Sequence, residues 1–357
     1  MRTAFAGPRY LLLGLMLLLP ALAGTAYAQA KDGPAQDSRM TESQAQRQQA
    51  QPGNNAPTWR EVRSGKEEYT AVKGRETGVL VQTEGETWRK LRNGPISFYG
   101  GWLLVLGLIT LAVFYKVRGP MTLHSPPSGK MIERFSSFER IAHWSLAISF
   151  CILAASGMIM LFGKHVLLPV IGHTLFGWLA TLGKNLHNFV GPVFMFSILV
   201  FVVNFIRDNF PRAYDFTWLA KGGGVLSNEI VPCGRFNAGE KIWFWGGVIG
   251  LGAVSSASGL VLDFPNFDQT RSTMMTANVV HVISAIWFIS WSFTHIYLGT
   301  VGTTGAYEGM RTGYVDETYA REHAQYWYED VKSGRRALPS GEPGAADAAT
   351  APPQVQH

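Results

Sequence analysis

Five stretches of this chain are each apolar over about 20 residues, the length a helix needs to cross a bilayer. They run Pro95–Tyr115, Ile141–Phe162, Leu186–Ile206, Ile242–Leu262 and Asn278–Val301. In hydrocarbon the backbone polar groups must be paired within the segment, which makes such runs helical. The expectation is an all-α integral membrane protein. The composition agrees, with 47% apolar and only 16% charged residues.

A sixth run, His165–Lys184, is nearly long enough, but Pro169, Gly172, His173 and Gly177 interrupt it. Counting it as a span would also put the loops 116–140 and 207–241 on opposite sides. The first loop holds Lys116, Arg118, Lys130, Arg134 and Arg140, and the second Arg207, Arg212, Lys221, Arg235 and Lys241. The tail adds Arg311, Arg321, Lys332, Arg335 and Arg336, whereas 163–185 and 263–277 hold only Lys164, Lys184 and Arg271. The positive-inside rule groups the three basic regions in the cytoplasm. Residues 165–184 then read as an interfacial or re-entrant helix on the outer side.

The N-terminus has the pattern of a secretory signal peptide over residues 1–28. Arg2 and Arg9 precede the apolar run Tyr10–Leu22, and Ala26-Tyr27-Ala28 fits the cleavage site. An uncleaved anchor is the alternative. Residues 29–94 read as an extracytoplasmic polar segment, disordered in its Gln-, Ala- and Pro-rich part 29–57, with a short β-like run at Gly78–Gln82. The expected order is then an extra transmembrane helix at 95–115, a four-helix membrane domain over 116–306 and a cytoplasmic tail over 307–357. The mature N-terminus would be periplasmic and the C-terminus cytoplasmic, in a bacterial inner membrane.

The net charge of +6 comes from 31 Lys and Arg against 25 Asp and Glu. No basic stripe points to nucleic acid. The two cysteines, Cys151 and Cys233, form no CxxC, which excludes covalent c-type haem and cysteine-bound iron–sulfur clusters. Cys151, inside an apolar helix, reads as core packing.

Four histidines carry the chemistry. His281 and His295 lie fourteen residues apart in the fifth span, which on a helix is a rise of about 21 Å with a return to nearly the same face. His143 opens the second span at the cytoplasmic end, and His187 opens the third at the outer end. Depth therefore pairs His187 with His281 and His143 with His295. Such pairs on facing helices fit two bis-histidine b haems in a four-helix bundle. Gly157, Gly191, Ser284 and Ala285 would leave room for the rings.

The bland reading of one membrane histidine is a hydrogen-bonded packing residue. A proton relay would want Asp or Glu among the spans, which contain none. An intramembrane zinc enzyme would want three ligands at one depth, where each depth offers two. His124, His323 and His357 read as loop or tail residues, and His165 and His173 as solvated or packing.

Two stacked haems would need an outside donor and a lipid-soluble acceptor such as a quinone. In "RFNAGEKIWFW", Arg235–Trp245, Asn237 could bond a quinone carbonyl and Gly239 could admit the ring. Equally, Asn237 with Glu240 is a helix N-cap with its capping-box partner.

The set "FSSFERIAHW", "NLHNFVGPVF", "RFNAGEKIWFW", "HVISAIWFISWSFTHIYLG" and "EGMRTGYVDETYAREHAQYWYED" resembles the gamma subunit of respiratory formate dehydrogenase, its membrane cytochrome b. The resemblance covers about residues 130–332. It implies two b haems, ligated by His187 with His281 and by His143 with His295. It implies a menaquinone or ubiquinone site around Asn237, Gly239 and His295, which favours function at Asn237 beside capping. It implies an iron–sulfur beta subunit and a molybdenum- or tungsten-containing alpha subunit that oxidises formate. The family also suggests trimers of the three-subunit complex. Related cytochromes serve hydrogenases and other molybdoenzymes, and a haem-free anchor or transporter is the reading from another class. The signal peptide, the polar segment and the span at 95–115 depart from the short form of the family.

Overall fold

The computed structural model describes residues 59–60, 63–65, 83–227 and 229–340. The expected signal peptide, the leader 29–57, the Gly78–Gln82 run and residues 341–357 lie outside the described residues. The chain divides into two units between Ser64 and Gly65, and the elements that follow all belong to the second.

Five helical stretches are long and apolar enough to cross a membrane: Gly85–Arg118, Ser137–Val166, Leu168–Asn209, Ala238–Asp263 and Arg271–Gly299. The first starts earlier than the apolar pattern suggests. Helix α1 (Thr83–Leu91) lies in the polar segment, and Glu86 pairs with Arg89 and Lys90 along it. A π-helical turn, Arg92–Ile96, absorbs Gly94 and Pro95 before α2 (Ser97–Arg118). Helix α3 (Ser137–Val166) starts at a capping box in which Ser136 accepts from Glu139 and Glu139 from Ser136.

The run expected to be interfacial, His165–Lys184, is split: His165 and Val166 end α3, and helix α4 (Leu168–Phe205) absorbs the rest from Leu168. Of the four interrupting residues only Gly172, at φ 76°, breaks the helical backbone. Pro169 sits in the first turn, where its missing N–H has no partner to lose. From His173 onward the helix continues into the third span. Beyond the break at Gly172 the stretch His173–Phe205 would measure roughly 50 Å at about 1.5 Å per residue, well beyond the roughly 30 Å hydrocarbon layer.

The fourth span is composite. Asn237 caps α6 (Ala238–Ile242), a π-helical segment Trp243–Leu251 follows, and α7 (Gly252–Asp263) completes it. Thr270 caps α8 (Arg271–Gly299), the fifth span. The shorter elements are β1 (Met131–Glu133), α5 (Ala213–Ala220), α9 (Ala306–Thr312), β2 (Tyr314–Asp316), α10 (Glu317–His323) and α11 (Gln325–Lys332). The β1–β2 ribbon, with Ile132 opposite Val315, is a departure from an all-helical chain.

Side-chain neighbours set the helix directions. His143 of α3 meets His295 near the end of α8, and His187 of α4 meets His281 near its start. Trp243 meets His295, and Ser258 meets His281. The four helices of the bundle therefore alternate up and down. Helix α2 packs outside α8 and parallel to it, with Gly100 against Ile286 and Tyr115 against Tyr297. Mid-bundle packing centres on Leu146, Phe194, Ile198, Val248 and Phe288.

The three basic regions meet at one end, as the charge pattern predicts. There they form a folded cap around Ile132, Val315, Tyr319, Trp327 and Val331. The expected tail is thus built into the domain as far as α11. Arg235 ties the cap to the bundle, donating at 2.8 Å to both Glu139 and Asp208. Arg336 donates to the same Asp208, and Arg134 donates to Tyr319 Oη and to the Arg235 carbonyl at 2.9 Å each.

Candidate functional site: two histidine levels and a cap-side cavity

The first level joins His187 and His281, with ring centroids 5.9 Å apart. The second joins His143 and His295, with centroids 6.3 Å apart. The donor set at each level, two imidazoles from facing helices, fits a haem iron, which His187 with His281 and His143 with His295 would hold.

At the first level the second ring nitrogens are engaged. His187 Nδ1 lies 2.9 Å from Ser156 Oγ. His281 Nδ1 donates to the Ser255 carbonyl at 2.9 Å and lies 3.2 Å from Ser258 Oγ. Ser156 Oγ itself donates to the Ile152 carbonyl, so its lone pairs are free to accept from the imidazole. This arrangement directs Nε2 toward the partner ring, the outer-sphere support common at histidine metal ligands. Glycines make the approach close. A Cβ on Gly157 would stand 3.4 Å from His187 Cε1, and one on Gly259 3.2 Å from His281 Cε1.

A cavity of about 670 Å³ opens between these two histidines, within the usual range for small-molecule sites. Phe150, Leu153, Phe194 and Phe288 wall it. Gly157, Gly191 and Ala285 line it as expected. Ser284 has another role, accepting from Ser255 Oγ at 2.9 Å.

At the second level His143 Nδ1 is buried without a hydrogen-bond partner, an orphan that a ligand bound at the other nitrogen would not satisfy. Trp243 stacks on His295 at 5.2 Å and 15°. The π-helical segment places Trp243, and Gly247 clears it: a Cβ there would stand 2.3 Å from the indole. Trp243 lies within the stretch Arg235–Trp245 but had no role assigned from the sequence alone. The signal was the aromatic run Trp243-Phe244-Trp245 followed by Gly246-Gly247.

A second cavity, of about 330 Å³, brings Asn237, Gly239 and His295 together with Trp218 and Trp243. Asn237 also caps its helix. Its Oδ1 accepts from Glu240 N–H at 3.0 Å, and Glu240 accepts from Asn237 N–H at 2.8 Å. The two readings of Asn237 are compatible, because the cap uses Oδ1 and leaves Nδ2 as a donor.

His124 and His323, expected as plain loop residues, both line this cavity. Glu322 accepts from the backbone of His124 and Ser125 at 2.8 and 2.9 Å. Burial opposes its ionisation, and those hydrogen bonds overcome it and hold the carboxyl below the usual range. Burial, aided by Arg134, pushes the His323 imidazole down to about 4. Burial likewise pushes the Cys233 thiol up to about 12, and that thiol donates to the His323 carbonyl at 3.0 Å. Cys151 is a correction: it is exposed on α3 rather than packed in the core, on a face that lipid would cover. His165 and His173 are exposed, as expected. Among the described residues, no three His, Cys, Asp or Glu side chains converge on one point.

Comparison with known proteins gives the family. The family described as prokaryotic cytochrome b561 matches residues 134–313, which include all four histidines, Asn237 and Gly239. The cytochrome b556 subunit of the nitrate-inducible formate dehydrogenase of Escherichia coli is 27% identical over 218 residues, covering 60% of this chain and 97% of the relative. The cytochrome b556(fdo) subunit of an Escherichia coli formate dehydrogenase is 29% identical over 205 residues, 56% of this chain and 93% of that protein. A formate dehydrogenase cytochrome b556 subunit of Haemophilus influenzae is 26% identical over 206 residues, 56% of this chain and 83% of its own length. The match over half the sequence, with the paired histidines inside it, makes this chain a member of the prokaryotic cytochrome b561 family.

Proposed function

We propose that this chain is the membrane cytochrome b subunit of a formate dehydrogenase and carries electrons across the bilayer to a quinone. The observation that carries the reading is the pair of histidine levels, with centroids at 5.9 and 6.3 Å. His187 and His281 would hold one haem b, and His143 and His295 a second. Haem b bound there supplies one-electron transfer. The protein's part is to orient the imidazoles through Ser156, Ser255 and Ser258, and to keep water from the bundle with Phe150, Phe194 and Phe288. The names of the relatives favour formate over hydrogen as the ultimate donor.

In this reading the cap faces the cytoplasm, where its Lys and Arg satisfy the positive-inside rule. An iron–sulfur subunit would dock at the opposite end, near His187 and His281, and pass on electrons from a molybdenum or tungsten subunit that oxidises formate. Menaquinone or ubiquinone would enter the cap-side cavity. Asn237 Nδ2 would donate to a quinone carbonyl, and Gly239 would admit the ring edge.

The test is a reduced-minus-oxidised spectrum with haem quantitation on the purified complex, first with dithionite and then with formate. Two b haems per chain, reduced by formate and reoxidised by a quinone, are expected. His281→Ala should lose one haem and His295→Ala the other. Absence of haem would refute the reading, and haem reduced by hydrogen but not by formate would replace the donor.

A further inference from the structure

The family match begins at residue 134, so α1, the π-helical turn and α2 lie outside it. They nevertheless reach the first-level cavity. Helix α1 packs against α8, and Trp88 and Arg92 line the same 670 Å³ space as His187 and His281. Arg92 is held in place, because its Nη2 donates to the Met160 carbonyl at 2.7 Å.

The charged groups of this cavity share one end. Met160 lies three residues beyond Gly157, which abuts His187. Lys184 lies three residues before His187 on the antiparallel helix, and Asp263 four residues beyond Gly259, which abuts His281. At about 1.5 Å per residue, Arg92, Lys184 and Asp263 all sit about one turn away from the histidines, on the side away from the bundle centre. The rest of the lining is mainly apolar. An apolar slot with cations at one rim fits a flat apolar ligand that carries carboxylates on one edge, and two cations outnumber the single acid there.

We infer that Arg92 and Lys184 bind the propionate carboxylates of the porphyrin held between His187 and His281, and that the N-terminal helix, through Trp88, closes that site. The inference rests on the haem reading above and extends it to a segment outside the family match. A cation beside a haem carboxylate stabilises the reduced, less positive iron, so removing it lowers the midpoint potential.

The experiment is a potentiometric titration of the purified full chain, with haem content and haem loss on dilution followed in parallel. The variants are Arg92→Gln, Arg92→Lys and Lys184→Gln, with Arg89→Gln as a control whose guanidinium pairs with Glu86. The expected result is a lowered midpoint for one haem and an unmoved midpoint for the other in Arg92→Gln and Lys184→Gln. Haem should also be lost several-fold faster from that site. Arg92→Lys should recover most of the shift, and Arg89→Gln should leave both midpoints alone. Lys184 is exposed, so its variant reports even where Arg92→Gln misfolds. Two wild-type haems with unmoved midpoints and unchanged retention in Arg92→Gln and Lys184→Gln would overturn this inference and leave the haem reading standing. A wild-type chain without haem would overturn both.

Discussion

Ser156 and His187 meet across the α3–α4 contact, with Oγ 2.9 Å from Nδ1. The serine spends its own proton on the Ile152 carbonyl and so acts as an acceptor. That pins the ring and makes it more electron-rich. The job is shared at both histidines, since the Leu153 carbonyl also bonds His187 and His281 Nδ1 reaches both the Ser255 carbonyl and Ser258 Oγ.

Ser156→Ala should therefore weaken metal retention at the first level by about 10–100-fold, the usual effect of removing such a support. It should also raise the midpoint potential of that haem, because a less electron-rich imidazole stabilises the oxidised iron less. Ser258→Ala should act in the same direction, with the Ser255 carbonyl left on His281 as the Leu153 carbonyl is left on His187. Haem content and redox titration of the two variants side by side check this, and unchanged retention and midpoint in both would remove the serines from the account.

Asn237 has two separable jobs. Asn237→Ala should destabilise the helix start by about 1 kcal/mol, whereas Asn237→Ser keeps an N-cap oxygen. Both should reduce quinone reduction by the assembled complex, because both remove the amide donor. Thermal unfolding in detergent beside quinone-reductase assays separates the roles. Full activity in Asn237→Ser would make the residue a cap alone.

Arg235 is the pin between cap and bundle, with its side chain 4% exposed and two carboxylates on it. Removing it leaves Glu139 with only its capping-box bond and Asp208 with only Arg336. Arg235→Ala should cost about 3–5 kcal/mol, the typical penalty for breaking a buried ion pair from one side. Denaturation in detergent measures it. A cost within that of an exposed pair such as Arg335 with Asp330 would assign the coupling elsewhere.

The cap should also be acid-sensitive through His323. Burial lowers its folded value to about 4, below the ordinary 6.5 or so of an unfolded histidine. Between those values the unfolded chain binds the extra proton, so stability is complete above about pH 6.5 and falls as pH drops toward 4. The loss is at most about 3 kcal/mol at 1.36 kcal/mol per unit. Stability measured from pH 7.5 to 4 should show this decline, and His323→Gln should flatten it. An unchanged slope in the variant would remove His323 from the account.

The five spans and the matching depths of His143 with His295 and His187 with His281 were legible in the chain itself. Both follow from local quantities: apolar length, and a fixed rise per residue along a helix. The gathering of the three basic regions was legible through charge, because the positive-inside rule acts on each loop separately. What only the tertiary structure decided depends on contacts between distant residues. Helix α4 runs through Gly177 because Gly163 and Phe176 pack α3 against it, and a local count of helix breakers does not include that support. Helix α1 forms in a polar stretch and lies on α8, bringing Arg92 to a cavity made by residues far along the chain. Cys151 faces outward because packing chooses which side of an apolar helix is core. His124 and His323 border the same cavity because β1 pairs with β2 across nearly the whole domain. Periodicity and charge are properties of a segment, while the choice of partner belongs to the packed whole.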